Sequence, residues 1–351
     1  MKVSIGTNIK EGPWGGGNLF AINLKNFLIS QGHEVTNNLF EDDIDVILIT
    51  EPRKTSESSA FTHIDVKRYL KYVNYETIIV HRLNECDERK NTNFVNDYLI
   101  EANKVSDQSV YVSEWLKNLF LSQGIKSKKN LVIYGGANDQ IFNSSGLKPW
   151  KNNQKLKLVT HHWGANWNKG FDVYKYVDEL LGEEEWNSKI SFTYIGNIPK
   201  NFTFKNSNLI NPLSGLDLSK KLKENNFYIT GSLNEPSGNH HIEAAQCGLP
   251  ILYMDSGGTP EYCETFGVEF NINNIEEKLN YAIQNYERIQ ENMKNYPHNA
   301  NKMSQEYLNL FENLVKDKNE IIAVRKIKKK DYGLSRKVYL LIRKISEIFS
   351  N

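Results

Sequence analysis

Cysteine is scarce in this sequence and long apolar runs are missing, and both features exclude classes of protein. The three cysteines, Cys86, Cys247 and Cys263, are odd in number and widely spaced. This pattern argues against a disulfide framework or a zinc site and for a reducing cytosol. No run approaches the roughly 18–20 apolar residues that a membrane-spanning helix needs, and residues 1–6 indicate a strand start rather than a signal peptide. We therefore expect a cytoplasmic protein.

A large net charge is also missing, because the chain carries only +1. This value combines an acidic body with a basic C-terminal segment: residues 325–351 contain nine Lys or Arg against Asp331 and Glu347, a charge of +7. An acidic body argues against nucleic acid as the main partner. With 351 residues, 39% of them apolar and 24% charged, the chain is long enough for two soluble globular domains.

Short apolar runs alternate with amphipathic helical stretches in both halves of the chain. The runs that we interpret as parallel strands are residues 3–6, 45–50, 77–81, 109–112 and 131–133, then 156–160, 190–195, 227–230 and 250–253. This βαβ rhythm predicts an α/β protein with two Rossmann-like, doubly wound parallel-sheet domains, at residues 1–150 and 151–300. A polar linker is expected at residues 143–154, and ligands are expected in the cleft at the carboxyl ends of the strands.

Two glutamates, Glu235 and Glu243, are separated by seven residues and follow the predicted strand 227–230. Asn239 is a good N-cap for a helix from residue 240 to 247, and Gly248 can end that helix. A strand, a glycine-containing loop and a helix start place free backbone N–H groups where an anion can bind. Both glutamates can then face one ligand that carries phosphate at one end and hydroxyls at the other, such as a nucleotide sugar.

This segment resembles the paired-glutamate motif of retaining glycosyltransferases with the GT-B fold, in particular glycosyltransferase family 4. The match continues through residues 243–251 and 255–261, where the family has Glu-Ala, a small residue, Gly-x-Pro, a strand and Gly-Gly-x-x-Glu. The resemblance implies two domains facing each other across a cleft, and a closing helix at residues 301–324 that crosses back to the first domain. It also implies that the departing phosphate deprotonates the acceptor, so that no protein base is required.

The resemblance assigns roles to residues of this motif and of a second segment, residues 160–170. It implies that Glu243 holds the ribose hydroxyls, that Glu235 holds the sugar, and that the amides near Gly238 and Asn239, with Lys169, hold the diphosphate. The arginine that the family usually has a few residues before this lysine is missing. His161, His162 or Asn166 stands near its place, and we assign His162 and Asn166 to donor binding. A histidine there would have to be protonated, so activity would fall as pH rises.

Two other segments match the family more loosely. Residues 12–18, which include Gly15, Gly16 and Gly17, resemble the glycine-rich loop beside the donor diphosphate, although glycine runs also form ordinary turns. His81 ends a predicted strand where the family often has a histidine that contacts the transferred sugar; a strand end that meets solvent is the alternative. The residues that follow can bind the acceptor or form local ion pairs: Arg82, Asn84, Glu85 and Asp87.

We expect no metal and no cofactor other than the nucleotide-sugar substrate. The adjacent pairs at residues 161–162 and 240–241 are histidines, but neighbouring residues on a helix or strand do not face one site, and no carboxylate cluster joins them. Asp43 and Asp45 look like the Asp-x-Asp of metal-dependent glycosyltransferases. They precede a predicted strand instead of following one, and a solvated strand start explains them better.

The C-terminal segment predicts a basic amphipathic helix. One face carries Leu334, Val338, Leu341, Ile342, Ile345, Ile348 and Phe349, and the other carries Arg336, Lys337, Arg343 and Lys344. With the basic cluster at residues 325–330, this pattern favours binding of residues 325–351 to the anionic inner face of a membrane. Packing on the protein body or on a partner is the alternative.

Together these features predict a retaining, metal-independent glycosyltransferase. It would move a sugar from a nucleotide-sugar donor to a glycan or lipid-linked acceptor in surface polysaccharide or glycoconjugate synthesis. A GT-B nucleotide-sugar epimerase is one alternative, which would need proton-transfer groups that the motif does not supply. A non-catalytic subunit that binds sugar nucleotides is the other.

Overall fold

The computed structural model describes residues 1–10, 15–126, 129–330 and 333–348. The first half contains six parallel strands in the order β2-β1-β3-β4-β5-β6. The strands are β1 (Lys2–Ile5), β2 (Glu34–Thr36), β3 (Val46–Ile49), β4 (Ile78–Leu83), β5 (Gln108–Tyr111) and β6 (Asn130–Val132). The helices between them are α1 (Gly16–Ser30), α2 (His63–Tyr72), α3 (Asp87–Lys90), α4 (Val95–Asn103) and α5 (Glu114–Ser122).

The second half contains another six parallel strands, in the order β12-β11-β10-β7-β8-β9. These strands are β7 (Leu156–His162), β8 (Ile190–Gly196), β9 (Asn208–Ile210), β10 (Phe227–Thr230), β11 (Ile251–Met254) and β12 (Gly267–Phe270). Its helices are α6 (Phe171–Leu180), α7 (Glu184–Lys189), α8 (Gly215–Leu222), α9 (Asn239–Gln246), α10 (Thr259–Cys263), α11 (Ile275–Gln284) and α12 (Tyr286–Asn292). The two doubly wound parallel sheets predicted from the sequence are therefore present.

Buried apolar side chains on both faces of each sheet explain the parallel topology. In the central strands β3 and β4, Val46 pairs with Ile78 on one face and Ile47 pairs with Ile79 on the other, and all four side chains are fully buried. Helices cover both faces of a parallel sheet, and the sequences of its strands are therefore nearly continuous apolar runs. This is why the central strands could be located from the sequence.

The C-terminal helices α13 (Ala300–Lys316) and α14 (Lys318–Ala323) return to the first sheet. Helix α13 packs beside α1, where the rings of Tyr307 and Phe20 lie edge to face with centroids 5.2 Å apart. Phe311 and Leu314 of α13 are buried in the same apolar cluster as the side chains of β1 and β3. The first domain is thus completed by residues that follow the second domain in the chain.

The last helix, α15 (Leu334–Ile348), docks on the first domain through the face that carries Arg336, Tyr339 and Arg343. Arg336 Nε donates to the carbonyl of Tyr72 at 3.2 Å, and Arg343 Nε donates to the carbonyl of Leu39 at 3.0 Å. Six apolar side chains of the opposite face are 45–78% exposed: Leu334, Val338, Leu341, Ile342, Ile345 and Ile348. Phe349, predicted to share that face, lies outside the described residues.

Among the helices of the described residues, none combines the length and the apolar composition that crossing a bilayer requires.

Candidate active site

A cavity of about 1000 Å³ lies between the two sheets, at the carboxyl ends of their strands. Gly15, Gly16 and Gly17 line it from the first domain, at the start of α1 after β1. Gly12, at the beginning of the predicted glycine-rich loop, lies outside the described residues. The second domain contributes the following predicted donor-side residues to the same cavity: His161, His162, Asn166, Lys169, Glu235, Gly238, Asn239 and Glu243.

Glu235 lies in the loop after β10 and forms ion pairs with two cations. Its Oε2 is 3.2 Å from Lys169 Nζ and 3.0 Å from Arg89 Nε, and its side chain is only 10% exposed. Burial alone would raise the pKa of Glu235, but the adjacent Lys169 and Arg89 lower that pKa to about 2. The carboxylate is therefore ionised at neutral pH and can accept hydrogen bonds from a ligand.

Helix α9 begins at the cavity with a turn that requires glycine. Gly238 has a φ of +72°, and a Cβ at this position would meet His241 at 2.4 Å. The helix begins at Asn239, one residue earlier than predicted, with Gly238 as its N-cap. A Cβ on Gly16 would meet the Asn239 side chain at 2.9 Å, so the starts of α1 and α9 approach each other across the cleft.

Glu243, on the first turns of α9, pairs with a histidine from the end of β7. Its Oε2 lies 3.0 Å from His161 Nε2, and both side chains are at most 10% exposed. The neighbouring His162 also lines the cavity, but its Nε2 lies 2.6 Å from the hydroxyl of the buried Tyr174. Burial lowers the pKa of His162 well below its usual value. A neutral His162 cannot supply the positive charge of the arginine that is missing here.

The structure does not bring His81 to the cavity. Strand β4 continues to Leu83, so His81 lies within the sheet rather than at its end. Its side chain is fully buried, and its Nδ1 lies 3.1 Å from Asn103 Nδ2 of α4. Burial lowers the pKa of His81 to about 3. The expectation that this histidine faces the cleft is not met, because side chains alternate between the two faces of a strand.

Three of the four predicted acceptor-side residues line the cavity, and the fourth does not. Arg82, Asn84 and Glu85 are on the cavity wall, and the Arg82 guanidinium lies 3.9 Å from the centroid of the Phe20 ring. Asp87 instead accepts hydrogen bonds from the Thr92 hydroxyl and from the backbone N–H groups of residues 94–96. These hydrogen bonds stabilise the start of α4, so the Asp87 carboxylate has a structural role.

Sequence reasoning missed several cavity residues, among them Arg89, Trp163 and Trp167. Arg89 lies in the run Asp-Glu-Arg-Lys, which has the composition of a solvated turn, and nothing in the sequence signals its contact with Glu235. The two tryptophans are 54% and 44% exposed beside Lys169. Two tryptophans shortly before a suspected phosphate-binding lysine could have been predicted to line the site, because such rings are common at binding surfaces.

No protein-family model and no curated protein sequence matches this chain. Solved glycosyltransferase structures match its fold. A glycosyltransferase from Rickettsia africae is 15% identical with a TM-score of 0.64, and the match covers 90% of this chain and 99% of that one. HepE of Anabaena in complex with UDP-glucose is 12% identical with a TM-score of 0.66, over 90% of this chain and 100% of that one.

A third match is sucrose-phosphate synthase from Thermosynechococcus elongatus, at 12% identity and a TM-score of 0.59, over 90% of this chain and 99% of that one. At these identities the likeness establishes the fold. Two parallel six-stranded sheets with flanking helices face each other as in GT-B glycosyltransferases, which confirms the predicted fold class.

Proposed function

We propose that the protein is a retaining glycosyltransferase that transfers a sugar from a nucleotide-sugar donor. The observation that carries this proposal is the charge arrangement in the cleft, where Glu235 sits between two cations and Glu243 lies one helix turn beyond the start of α9. The fold shared with HepE, whose structure contains UDP-glucose, supports a nucleotide sugar as the donor.

The donor would lie across the starts of two helices. Its diphosphate binds the backbone N–H groups at Gly238, Asn239 and the Gly15–Gly17 segment, where helix dipoles favour an anion. Lys169 offsets the charge that develops on the leaving phosphate. Glu243, oriented by His161, accepts hydrogen bonds from the ribose hydroxyls, and Glu235 accepts them from the sugar.

In the reaction, the bond between the anomeric carbon and the phosphate oxygen breaks as an acceptor hydroxyl oxygen bonds to that carbon from the same face. The acceptor proton passes to the departing phosphate oxygen, so configuration is retained and no protein base is needed. We propose that no divalent metal takes part, since Lys169 and the helix-start amides supply the positive charge that the diphosphate requires.

The acceptor would approach from the first domain. That wall of the cavity carries a guanidinium, an amide and a carboxylate, from Arg82, Asn84 and Glu85. All three groups can form hydrogen bonds with the hydroxyl groups of an acceptor. We propose a glycan or lipid-linked acceptor and location at the inner face of a membrane, because α15 leaves six apolar side chains exposed beside a basic segment. Synthesis of a surface polysaccharide or glycoconjugate is the process that fits such an acceptor.

The test is turnover and binding with a panel of nucleotide sugars. Glu243→Ala is expected to weaken donor binding by about ten- to a hundredfold, since a hydrogen bond to a charged group contributes roughly 1.5–3 kcal/mol. Glu235→Gln is expected mainly to lower turnover. Glu291→Gln, at an exposed position on α12, is the matched control and should leave both unchanged.

Several results would contradict the proposal. Normal kinetics in a folded Glu243→Ala variant would remove the donor assignment, and an inverted product would remove the retaining mechanism. Activity that is lost in excess chelator and restored by magnesium or manganese would contradict metal independence. Epimerised donor with water as the only co-substrate would establish the epimerase, and donor binding without any turnover would favour a non-catalytic subunit.

A further inference from the structure

Helix α3 brings a cation from the first domain to a glutamate of the second domain. Arg89 Nε lies 3.0 Å from Glu235 Oε2, and Lys169 Nζ lies 3.2 Å from the same oxygen. The side chains of Arg89 and Lys169 are 14% and 12% exposed. One carboxylate oxygen therefore holds two largely buried cations, which reach it from opposite sides of the cleft.

This arrangement leaves one positive charge without a carboxylate of its own. Across the described ranges of the chain, neither Arg89 nor Lys169 forms a second ion pair. Glu85 is near enough to influence both cations, but it is paired with Lys90 at 3.1 Å. A buried charge that is not fully compensated is unfavourable, so the site favours an incoming anion.

The backbone just before Arg89 is held in place by contacts with two different elements. Asp87, the first residue of α3, accepts hydrogen bonds from the N–H groups of Val95 and Asn96, each at 2.9 Å. The carbonyl of Glu88 accepts one from Asn234 Nδ2 at 3.2 Å. Helix α3 is thus attached both to α4 and to the loop of the second domain that contains Glu235, and the position of Arg89 is preorganised.

We propose that Arg89 is the second cation for the donor diphosphate, supplied by the opposite domain in place of the arginine that is missing before Lys169. This inference rests on the proposed function. In the donor-free protein, Arg89 and Lys169 neutralise Glu235. An entering diphosphate competes for both cations and releases the Glu235 carboxylate to accept hydrogen bonds from the sugar. The charge that develops on the leaving diphosphate is then fully compensated only while the first domain holds Arg89 beside the donor.

The inference is tested by calorimetric titration with UDP, ADP and GDP and with the corresponding monophosphates. Arg89→Gln is expected to weaken binding of the preferred diphosphate by about ten- to a hundredfold, the range that charge-assisted hydrogen bonds carry. Binding of the monophosphate should change much less, because it lacks the second phosphate. Arg89→Lys should retain part of the affinity, since it keeps the charge but loses the planar two-donor geometry.

Arg68→Gln is the matched control, because Arg68 is 57% exposed on α2 and lies outside the cavity lining. It should leave both affinities unchanged. A folded Arg89→Gln protein that binds the diphosphate as tightly as the wild type overturns the inference and leaves the proposed function standing. A wild-type protein that binds none of these nucleotides overturns the proposed function, and the inference with it.

Discussion

Three histidines, His162, His240 and His241, form a layer of edge-to-face rings next to the two glutamates of the cavity. The ring centroids of His162 and His240 are 4.5 Å apart, and those of His240 and His241 are 4.9 Å apart. Burial lowers the pKa of His241 to about 3 and lowers those of His162 and His240 well below their usual values. All three are neutral in the folded protein near pH 7, and they bind protons more readily once the chain unfolds.

The layer makes folding stability depend on pH. The folded-state pKa of His241 lies below its unfolded value near 6.5. The share of the free energy of unfolding that depends on a neutral His241 is therefore complete above that pH, and it is lost as pH falls toward 3. His241→Phe removes this titration. Between pH 7.5 and 5.5, the free energy of unfolding of the variant should fall by about 1.4 kcal/mol less than that of the wild type. Urea unfolding at the two pH values measures the difference.

Tyr296→Phe is the control for that experiment, because Tyr296 is buried in the second domain and burial raises its pKa away from this range. Its loss of stability between the two pH values should equal that of the wild type. If His241→Phe and the wild type lose the same free energy, the imidazole of His241 is not held neutral by the fold.

Arg89 and His81 mark how far the active site could be predicted from the sequence. The two glutamates and Lys169 line the cavity as expected, because they belong to a local pattern in which strand, loop and helix lie next to each other in the chain. The sequence does not predict the position of Arg89, because its contact with Glu235 joins two domains and depends on how they face each other. His81 was misplaced because the strand ends two residues later than its apolar run, which changes what the side chain meets.

At the scale of elements, Glu261 of α10 stabilises the start of a helix in the other domain. Its carboxylate accepts hydrogen bonds from the backbone N–H groups of Glu114 and Trp115 on α5, each at 2.7 Å, and from the Tyr134 hydroxyl at 3.0 Å. Free N–H groups at a helix start favour a negative charge. Glu261 belongs to the glycine-rich motif that carries the family resemblance, yet here it contacts protein rather than the cavity.

Glu261→Gln should therefore lower stability. The amide can accept at only one of its two terminal atoms, so one N–H of α5 loses its partner, and helix-cap losses of this kind cost about 0.5–2 kcal/mol. Glu264→Gln, three residues later and exposed, should change stability by less than about 0.5 kcal/mol. Thermal unfolding compares the two variants. Equal effects would mean that the Glu261 contact contributes nothing beyond a surface carboxylate.

The strands that the sequence did not predict share a position in the sheets. β2, β9 and β12 each form a sheet edge, and β2 and β9 have three residues each and no fully buried side chain. An edge strand has one exposed side and needs no apolar run, so its sequence resembles a loop. The central strand β10 matched its predicted residues 227–230 because all four of its side chains are buried.

At the scale of the whole molecule, the basic C-terminal segment has two structurally different parts. Arg325 is buried against Asp107, with Nη2 2.6 Å from Oδ2, and Ile327 packs against the apolar cluster beneath α2. Removing this part would leave the Asp107 carboxylate without its cation and would destabilise the first domain. Helix α15 follows and is attached by arginine contacts to backbone carbonyls and by the ring of Tyr339, 5.3 Å from that of Tyr72. Since none of the side chains of Leu334–Ile348 is buried, α15 can be removed without opening the core.

This division allows the proposed membrane contact to be tested without damage to the fold. A chain shortened after residue 332 should be released from vesicles containing anionic phosphatidylglycerol, since it loses the exposed apolar face and the exposed Lys337 and Lys344, worth about 1 kcal/mol each. The double substitution Leu341→Ser and Ile345→Ser should weaken binding while leaving the Arg343 contact intact. High salt should release the wild-type protein only in part, because burial of apolar side chains is not screened.

Leu216→Ser is the control for the serine substitutions, because Leu216 is a 70% exposed leucine on α8, in the other domain. It should sediment with vesicles as the wild type does. In the shortened chain, donor hydrolysis should survive while transfer to a lipid-linked acceptor falls, because the cavity is intact but the enzyme no longer concentrates where its acceptor lies. Equal co-sedimentation of the shortened and complete chains would contradict the proposed contact between the apolar face of α15 and the membrane.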